Sequence, residues 1–139
     1  MRSTTALTLK VLRKAKFHAE VVEKWVGPPR QHDAETGAWR GTGVRKDLWG
    51  IVDILGVGLR YTLAVQSTSD RSLVRERQSK ALASEPLLRW MGQSPTNIFE
   101  VWGWLPAKKG QRGRQLRRWR LVPGSTHWIE VEGAPVSAA

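Results

Sequence analysis

The chain has 139 residues, with 23 Lys and Arg against 12 Asp and Glu, a net charge of +11 and a pI near 11.1. That length suits one domain with a modest core, and such a charge surplus points to a polyanionic partner, of which nucleic acid is the commonest. The lack of cysteine excludes disulfides and thiolate zinc sites, His18, His32 and His127 lack the spacing of a histidine metal site, and no apolar run approaches the ~18 residues of a membrane span.

In chain order, the stretch MRSTTALTLKVLRK starts basic, but its apolar part is soon broken by Lys and Arg. It reads as a helix and not as a secretory signal, so a cytoplasmic protein is expected. Ser3 suits an N-cap. Leu7, Val11 and Ala15 then recur at helical spacing among Lys10, Arg13 and Lys14, which predicts a basic amphipathic helix over 4–16. HAEVVEKWV predicts a strand over 18–26, with Ala19, Val21, Glu23 and Trp25 on one face and Glu20 and Lys24 on the other. The Pro- and Gly-rich stretch 27–43 reads as a long loop.

VRKDLWGIVDILGV, 44–57, predicts a second strand, bent or bulged at Gly50. A short turn at 58–60 leads to a third strand, YTLAVQST, and is tight enough for an antiparallel pair. Thr68 or Ser69 is the expected cap of a helix over 70–83, with Asp70 in its first turn, and a shorter helix follows over 85–91. NIFEVWGWL and LRRWRLV predict strands over 97–105 and 116–122 around the basic turn AKKGQRGRQ, and THWIEVEG can add a last short strand. The expected organisation is one domain over 1–133 with a disordered tail, 134–139. The fold class is α/β: a mixed sheet flanked by helices, without regular βαβ alternation. GxGxxG, Walker and HExxH motifs are all absent.

Asp53 is the residue that asks for an explanation, because an aspartate inside an apolar run costs stability unless something pairs with it. Counting by twos places it in a row with Ile51 and Leu55. Across an antiparallel turn, Gln66 can lie beside it. Two polar side chains able to converge within apolar strands make a candidate site. The alternative is that Gln66 only hydrogen-bonds Asp53 or a helix end.

The segment RKDLWGIVDILGV…TLAVQSTS, in the order helix, strand, strand ending near Asp53, strand, helix, resembles the PD-(D/E)XK nuclease superfamily over roughly residues 4–104. That superfamily contains the archaeal-type Holliday junction resolvases and many restriction endonucleases, and the segment is similar to a branch carried by phage and bacterial genomes. The resemblance implies a restriction-endonuclease-like core and Mg²⁺- or Mn²⁺-dependent cleavage of branched or double-stranded DNA. Junction resolution is the foremost activity, by a homodimer that makes paired cuts. Nicking, repair or restriction-type cleavage, or a non-catalytic DNA-binding module on a decayed nuclease fold, are the alternatives.

By the same resemblance Asp53 matches the metal-binding aspartate and the main-chain carbonyl of Val65 a further ligand. Ala64 falls where a second acid is usual, and Gln66 where lysine is usual, there to orient the attacking water. The missing carboxylate must then come from elsewhere. Glu23 is one candidate and Asp47 another, although six residues of straight strand would hold Asp47 about 20 Å from Asp53 without a bend at Gly50. Glu20 is the fallback if the first strand is out of phase by one. Lys10, Arg13, Arg45, Lys46, Ser69, Arg71, Arg75, Arg77, Lys108, Lys109, Arg112 and Arg114 are the expected DNA contacts. Trp102, Trp104, Leu116 and Trp119 can form the dimer interface or fill the core.

Overall fold

The computed structural model of the protein describes residues 3–26, 31–32, 34–40, 44–107, 109–110 and 112–137, with backbone only at 24–26, 31, 39–40 and 44–45. Helix α1, Thr4–Lys14, begins where the Ser3 hydroxyl accepts from the Ala6 N–H at 3.1 Å. It ends in a left-handed residue, Lys16, at φ 71°, and the Phe17 N–H reaches back to the Leu12 carbonyl at 3.0 Å. A lysine in this conformation crowds its Cβ against the backbone, whereas glycine adopts it freely. Lys16→Gly is therefore expected to raise the stability by about 1 kcal/mol in urea denaturation.

The main sheet has six strands in the order β1-β6-β7-β8-β9-β10. They are β1 His18–Val21, β6 Ile54–Val57, β7 Thr62–Thr68, β8 Asn97–Pro106, β9 Arg114–Leu121 and β10 Trp128–Val131. Two small ribbons stand apart: β2 Lys24–Val26 with β5 Val44–Lys46, and β3 Gln31–His32 with β4 Trp39–Arg40. All neighbours are antiparallel except β7 and β8. That parallel pair is joined by a crossover through α2, Arg71–Leu82, and α3, Glu85–Gln93, as parallel strands require.

Strand β7 is central and covered on both faces, which is why Leu63, Ala64 and Val65 run without polar alternation. Leu63 and Val65 face one core with Leu12, Phe17, Ala19, Ile54, Trp102 and Trp104, beneath α1. Ala64 faces the other, with Ile51, Val52, Val74, Ala81, Leu87, Phe99 and Val101, beneath α2 and α3. Trp102 is fully buried and Trp104 nearly so, its indole N–H donated to Thr8 Oγ1 at 2.9 Å. These two tryptophans thus belong to the chain's own core and not to a dimer surface.

Four expectations change. The strand expected over 18–26 breaks at Val22 and Glu23, and its second half leaves the main sheet to pair with β5. Val21, expected on the inner row, is exposed. The strand expected over 44–57 is two strands separated by a tight turn, closed by paired N–H···O bonds between Leu48 and Val52 of 2.9 Å each. Trp49 and Gly50 occupy its tip at φ 57° and 76°. Asp70, not Thr68 or Ser69, caps α2, accepting from the Ser72 N–H at 2.9 Å, while Thr68 Oγ1 accepts from the Asp70 N–H. The C-terminal segment, read as a disordered tail, is tied down as far as Ser137. Val136 O accepts from the Tyr61 hydroxyl, Ser137 O from the Arg60 N–H and Gly133 O from Arg118, and Pro135 and Ser137 are buried.

Candidate active site

Asp53 sits one residue before β6, in the step between the Leu48–Val52 turn and the sheet. Its backbone is held on both sides. The N–H donates to Val65 O at 2.9 Å, and the carbonyl accepts from the Val22 N–H at 2.8 Å. The second bond continues the β1–β6 register by one residue, and the next residue, Glu23, lies where its charge acts on Asp53. The carboxylate is 8 % exposed. Its Oδ2 accepts from the Ser67 N–H at 3.1 Å and from the Ser67 hydroxyl at 3.4 Å, and Ser67 Oγ in turn lies 3.2 Å from Thr4 Oγ1 at the start of α1, where the Thr4 hydroxyl can be the donor.

The 47–53 segment does not run straight. The turn doubles it back, so the Asp47 side chain reaches Asp53 and hydrogen-bonds it. Burial first, then that shared hydrogen bond, push the Asp53 carboxyl up to about 8. The Asp47 and Glu23 charges act in the same direction, against the pull of the Ser67 N–H. A carboxyl held in this way keeps its proton near neutrality in the absence of a cation. Among the described residues no three His, Asp or Glu side chains form a ready metal-ligand group. The donor set is therefore the Asp47–Asp53 pair, with Glu23 acting on it through its charge. The Val65 carbonyl already accepts from the Asp53 N–H and has one lone pair left.

Gln66 does not contact Asp53 through any hydrogen bond found among the described residues. It is 4 % exposed, its Nε2 donates to Ser67 O at 3.3 Å, and its Oε1 has no partner. Only the amino end can face a carbonyl, which settles the orientation of the amide. The free atom is thus an acceptor, whereas a lysine there would present only donors. Ala64, at the position where a second acid is usual, is fully buried among apolar side chains, which have no room for a charge.

The expected DNA contacts differ in exposure and in the partners they already have. Lys10, Lys46, Arg71, Arg75, Lys109 and Arg112 are exposed, as is Ser69. Arg13 and Arg114 are used inside the fold: Arg13 donates to Ala19 O at 3.1 Å, and Arg114 to Trp104 O at 3.0 Å and Ser69 O at 3.4 Å. Arg77 is half-buried beside Glu76, with its Nε unpartnered. Lys108 and the side chain of Arg45 lie outside the described residues.

Glu100 is a residue that the sequence reading passed over. It is fully buried and accepts from Arg118 Nε at 2.9 Å, Arg118 Nη2 at 3.1 Å, Arg120 Nε at 2.8 Å and Trp102 Nε1 at 2.9 Å. The signal was available, since Glu100 shares a period-2 row with Trp102 and Trp104.

The chain matches no family model, and neither a curated protein nor a solved structure is similar to it.

Proposed function

We propose that the chain is a divalent-metal-dependent, structure-selective DNA endonuclease on a restriction-endonuclease-like core, acting foremost on four-way junctions as a homodimer. The observation that carries this reading is the pair formed by the buried Asp53 and the half-buried Asp47, brought together by a turn and holding a proton near neutrality. Two carboxylates packed in this way, with no opposing charge in their hydrogen bonds among the described residues, are an arrangement that a hard cation relieves. The element order α1, β1, β6, β7, α2, β8, with its antiparallel hairpin and its parallel step at β7/β8, supports the same reading.

The residues fit Mg²⁺ or Mn²⁺, with Asp53 and Asp47 as the holding carboxylates and water in the remaining positions. When bound, such an ion supplies neutralisation of the phosphate and a water of lowered pKa. Asp53 gives up its proton as the site is loaded. The Ser67 N–H keeps that carboxylate oriented. Gln66, the counterpart of the usual lysine, keeps an unpartnered but solvent-closed Oε1, so its part in orienting the attacking water is the weakest element of this reading. Arg71 and Arg75, exposed on the helix that follows the site strand, are the residues we assign to the DNA backbone.

The test is incubation of the protein with a four-way junction, a linear duplex and a single strand, each in Mg²⁺, Mn²⁺ or EDTA. Paired nicks in the junction, dependent on metal, are expected. Equal cutting of linear duplex would replace junction resolution by another nuclease activity. Binding without cutting in either metal would leave only a DNA-binding module, the reading that Ala64 and Gln66 favour.

A further inference from the structure

A cavity of about 440 Å³ opens beside the turn that carries the carboxylate pair, lined by Trp49, Glu85, Pro86, Arg89, Trp90 and Gln93. That volume lies in the range of small-molecule sites, about 300–1,000 Å³. Its floor is aromatic. The Trp49 and Trp90 rings lie 5.6 Å apart at 40°, and both are only half-buried, so ring surface remains open to the cavity. Its rim is polar, with the Gln93 amide and with Arg89, which is held by Glu85 at 2.7 Å one helical turn away.

Trp49 is placed here against local preference. A bulky residue at φ 57° is a genuine outlier, and such strain costs on the order of 1–3 kcal/mol. The surroundings hold it there. Its carbonyl accepts from Ser84 Oγ at 2.9 Å, the residue that also caps α3, and the Leu48–Val52 bridge closes the turn beneath it. Strain that the fold enforces on an accessible aromatic side chain, two residues after Asp47 and four before Asp53, marks a working surface.

We propose that the Trp49–Trp90 cavity receives an unpaired nucleobase of a DNA strand, so that the chain selects DNA with unpaired or splayed nucleotides next to the phosphate presented to Asp53. The inference rests on the nuclease reading for the position of that phosphate. The chemistry of the occupant follows from the cavity. A planar π-surface stacks on indole, Gln93 can both donate to and accept from a base edge, and the +11 chain draws in the polyanionic strand to which that base belongs. A paired base, stacked within its duplex, offers no free face.

Binding is measured in EDTA, so that cleavage plays no part, with 2-aminopurine as the probe, placed either unpaired at a gap or paired in a duplex of the same length. Wild type is expected to quench the unpaired probe and to bind the gapped DNA about tenfold more tightly than the duplex, as one stacked base provides. Trp90→Ala and Trp49→Asn should lose most of that preference. Asparagine is chosen because it tolerates the left-handed conformation. Trp90→Phe keeps an aromatic face and should retain the preference, which separates stacking from loss of fold. Equal affinity for the two DNAs in wild type, or a preference unchanged in both Trp90→Ala and Trp49→Asn, would overturn the proposal. Competition by a free deoxynucleoside monophosphate at micromolar concentration would overturn it too, assigning the cavity to a small ligand. A chain that binds gapped DNA through both tryptophans but cuts nothing keeps this site and loses the nuclease reading. One that cuts gapped and duplex DNA alike without such a preference does the reverse.

Discussion

Asp53→Asn is expected to abolish metal-dependent DNA cleavage and, at the same time, to make the metal-free protein more stable at pH 8. The sign follows from the direction of the titration. The carboxyl is ordinary in the unfolded chain, with a pKa near 4, and is raised to about 8 in the fold, chiefly by burial and by the hydrogen bond to Asp47. Between those values the folded state binds the extra proton, so stability falls as pH rises through that window and the contribution is gone above pH 8. The loss is on the order of a few kcal/mol, with roughly 6 kcal/mol as the ceiling set by 1.36 kcal/mol per pH unit. Asparagine resembles the protonated carboxyl and keeps an acceptor for the Ser67 N–H. Urea denaturation in EDTA at pH 5 and pH 8.5 checks this. The variant's advantage over wild type should be small at the lower pH, where the unfolded carboxyl has just ionised, and larger by a few kcal/mol at the higher, and parallel profiles would refute the assignment. The same variant should still bind DNA, because the exposed basic residues are untouched.

The second large effect concerns Glu100. Glu100→Gln is expected to destabilise the protein by about 3–5 kcal/mol, because Arg118, 2 % exposed, is left as a buried charge without its counter-charge. Arg118→Met should cost less, because Glu100 keeps Arg120 and Trp102 as partners. The double variant should lose much less than the sum, since no uncompensated charge remains beyond the half-buried Arg120. Guanidinium denaturation of the four proteins gives the coupling directly, and simple additivity would mean that the ion network does not hold the sheet as described. Arg118 also donates to Gly133 O, so losing it should free the C-terminal segment to exchange its amide hydrogens faster.

The elements best read from the sequence are those whose periodicity and punctuation agree. For α1 and the β6–β7 and β8–β9 hairpins, apolar spacing, cap and turn residues point the same way, and α2 and α3 were legible as helices although the cap of α2 is Asp70. The misread stretches are those where the chain changes partners while local preference stays the same. Val21, Val22 and Trp25 favour strand throughout, but the Val22 N–H goes to Asp53 and the chain then moves to a different sheet. The Leu48–Val52 turn has only Gly50 to announce it, because a tryptophan at its other tip position argues against a left-handed residue. For the candidate site, Asp53 was legible as an aspartate in an apolar run, and Asp47 only on condition of a bend. The role of Gln66 was less so. Its amino group is used by Ser67 and its oxygen is left over, an outcome that depends on one rotamer. The tail was misread because its anchors, Tyr61, Arg60 and Arg118, are distant in sequence.

The most direct measurement is a calorimetric titration of Mn²⁺ into the metal-free protein at pH 7.5, in two buffers of different ionisation enthalpy, for wild type and Asp53→Asn. One site is predicted in wild type, with close to one proton released on binding as the Asp47–Asp53 pair gives up the proton it holds, and no such site in Asp53→Asn. Absence of binding to wild type at millimolar Mn²⁺, or equal binding with equal proton release by both proteins, would contradict the carboxylate pair as a metal site.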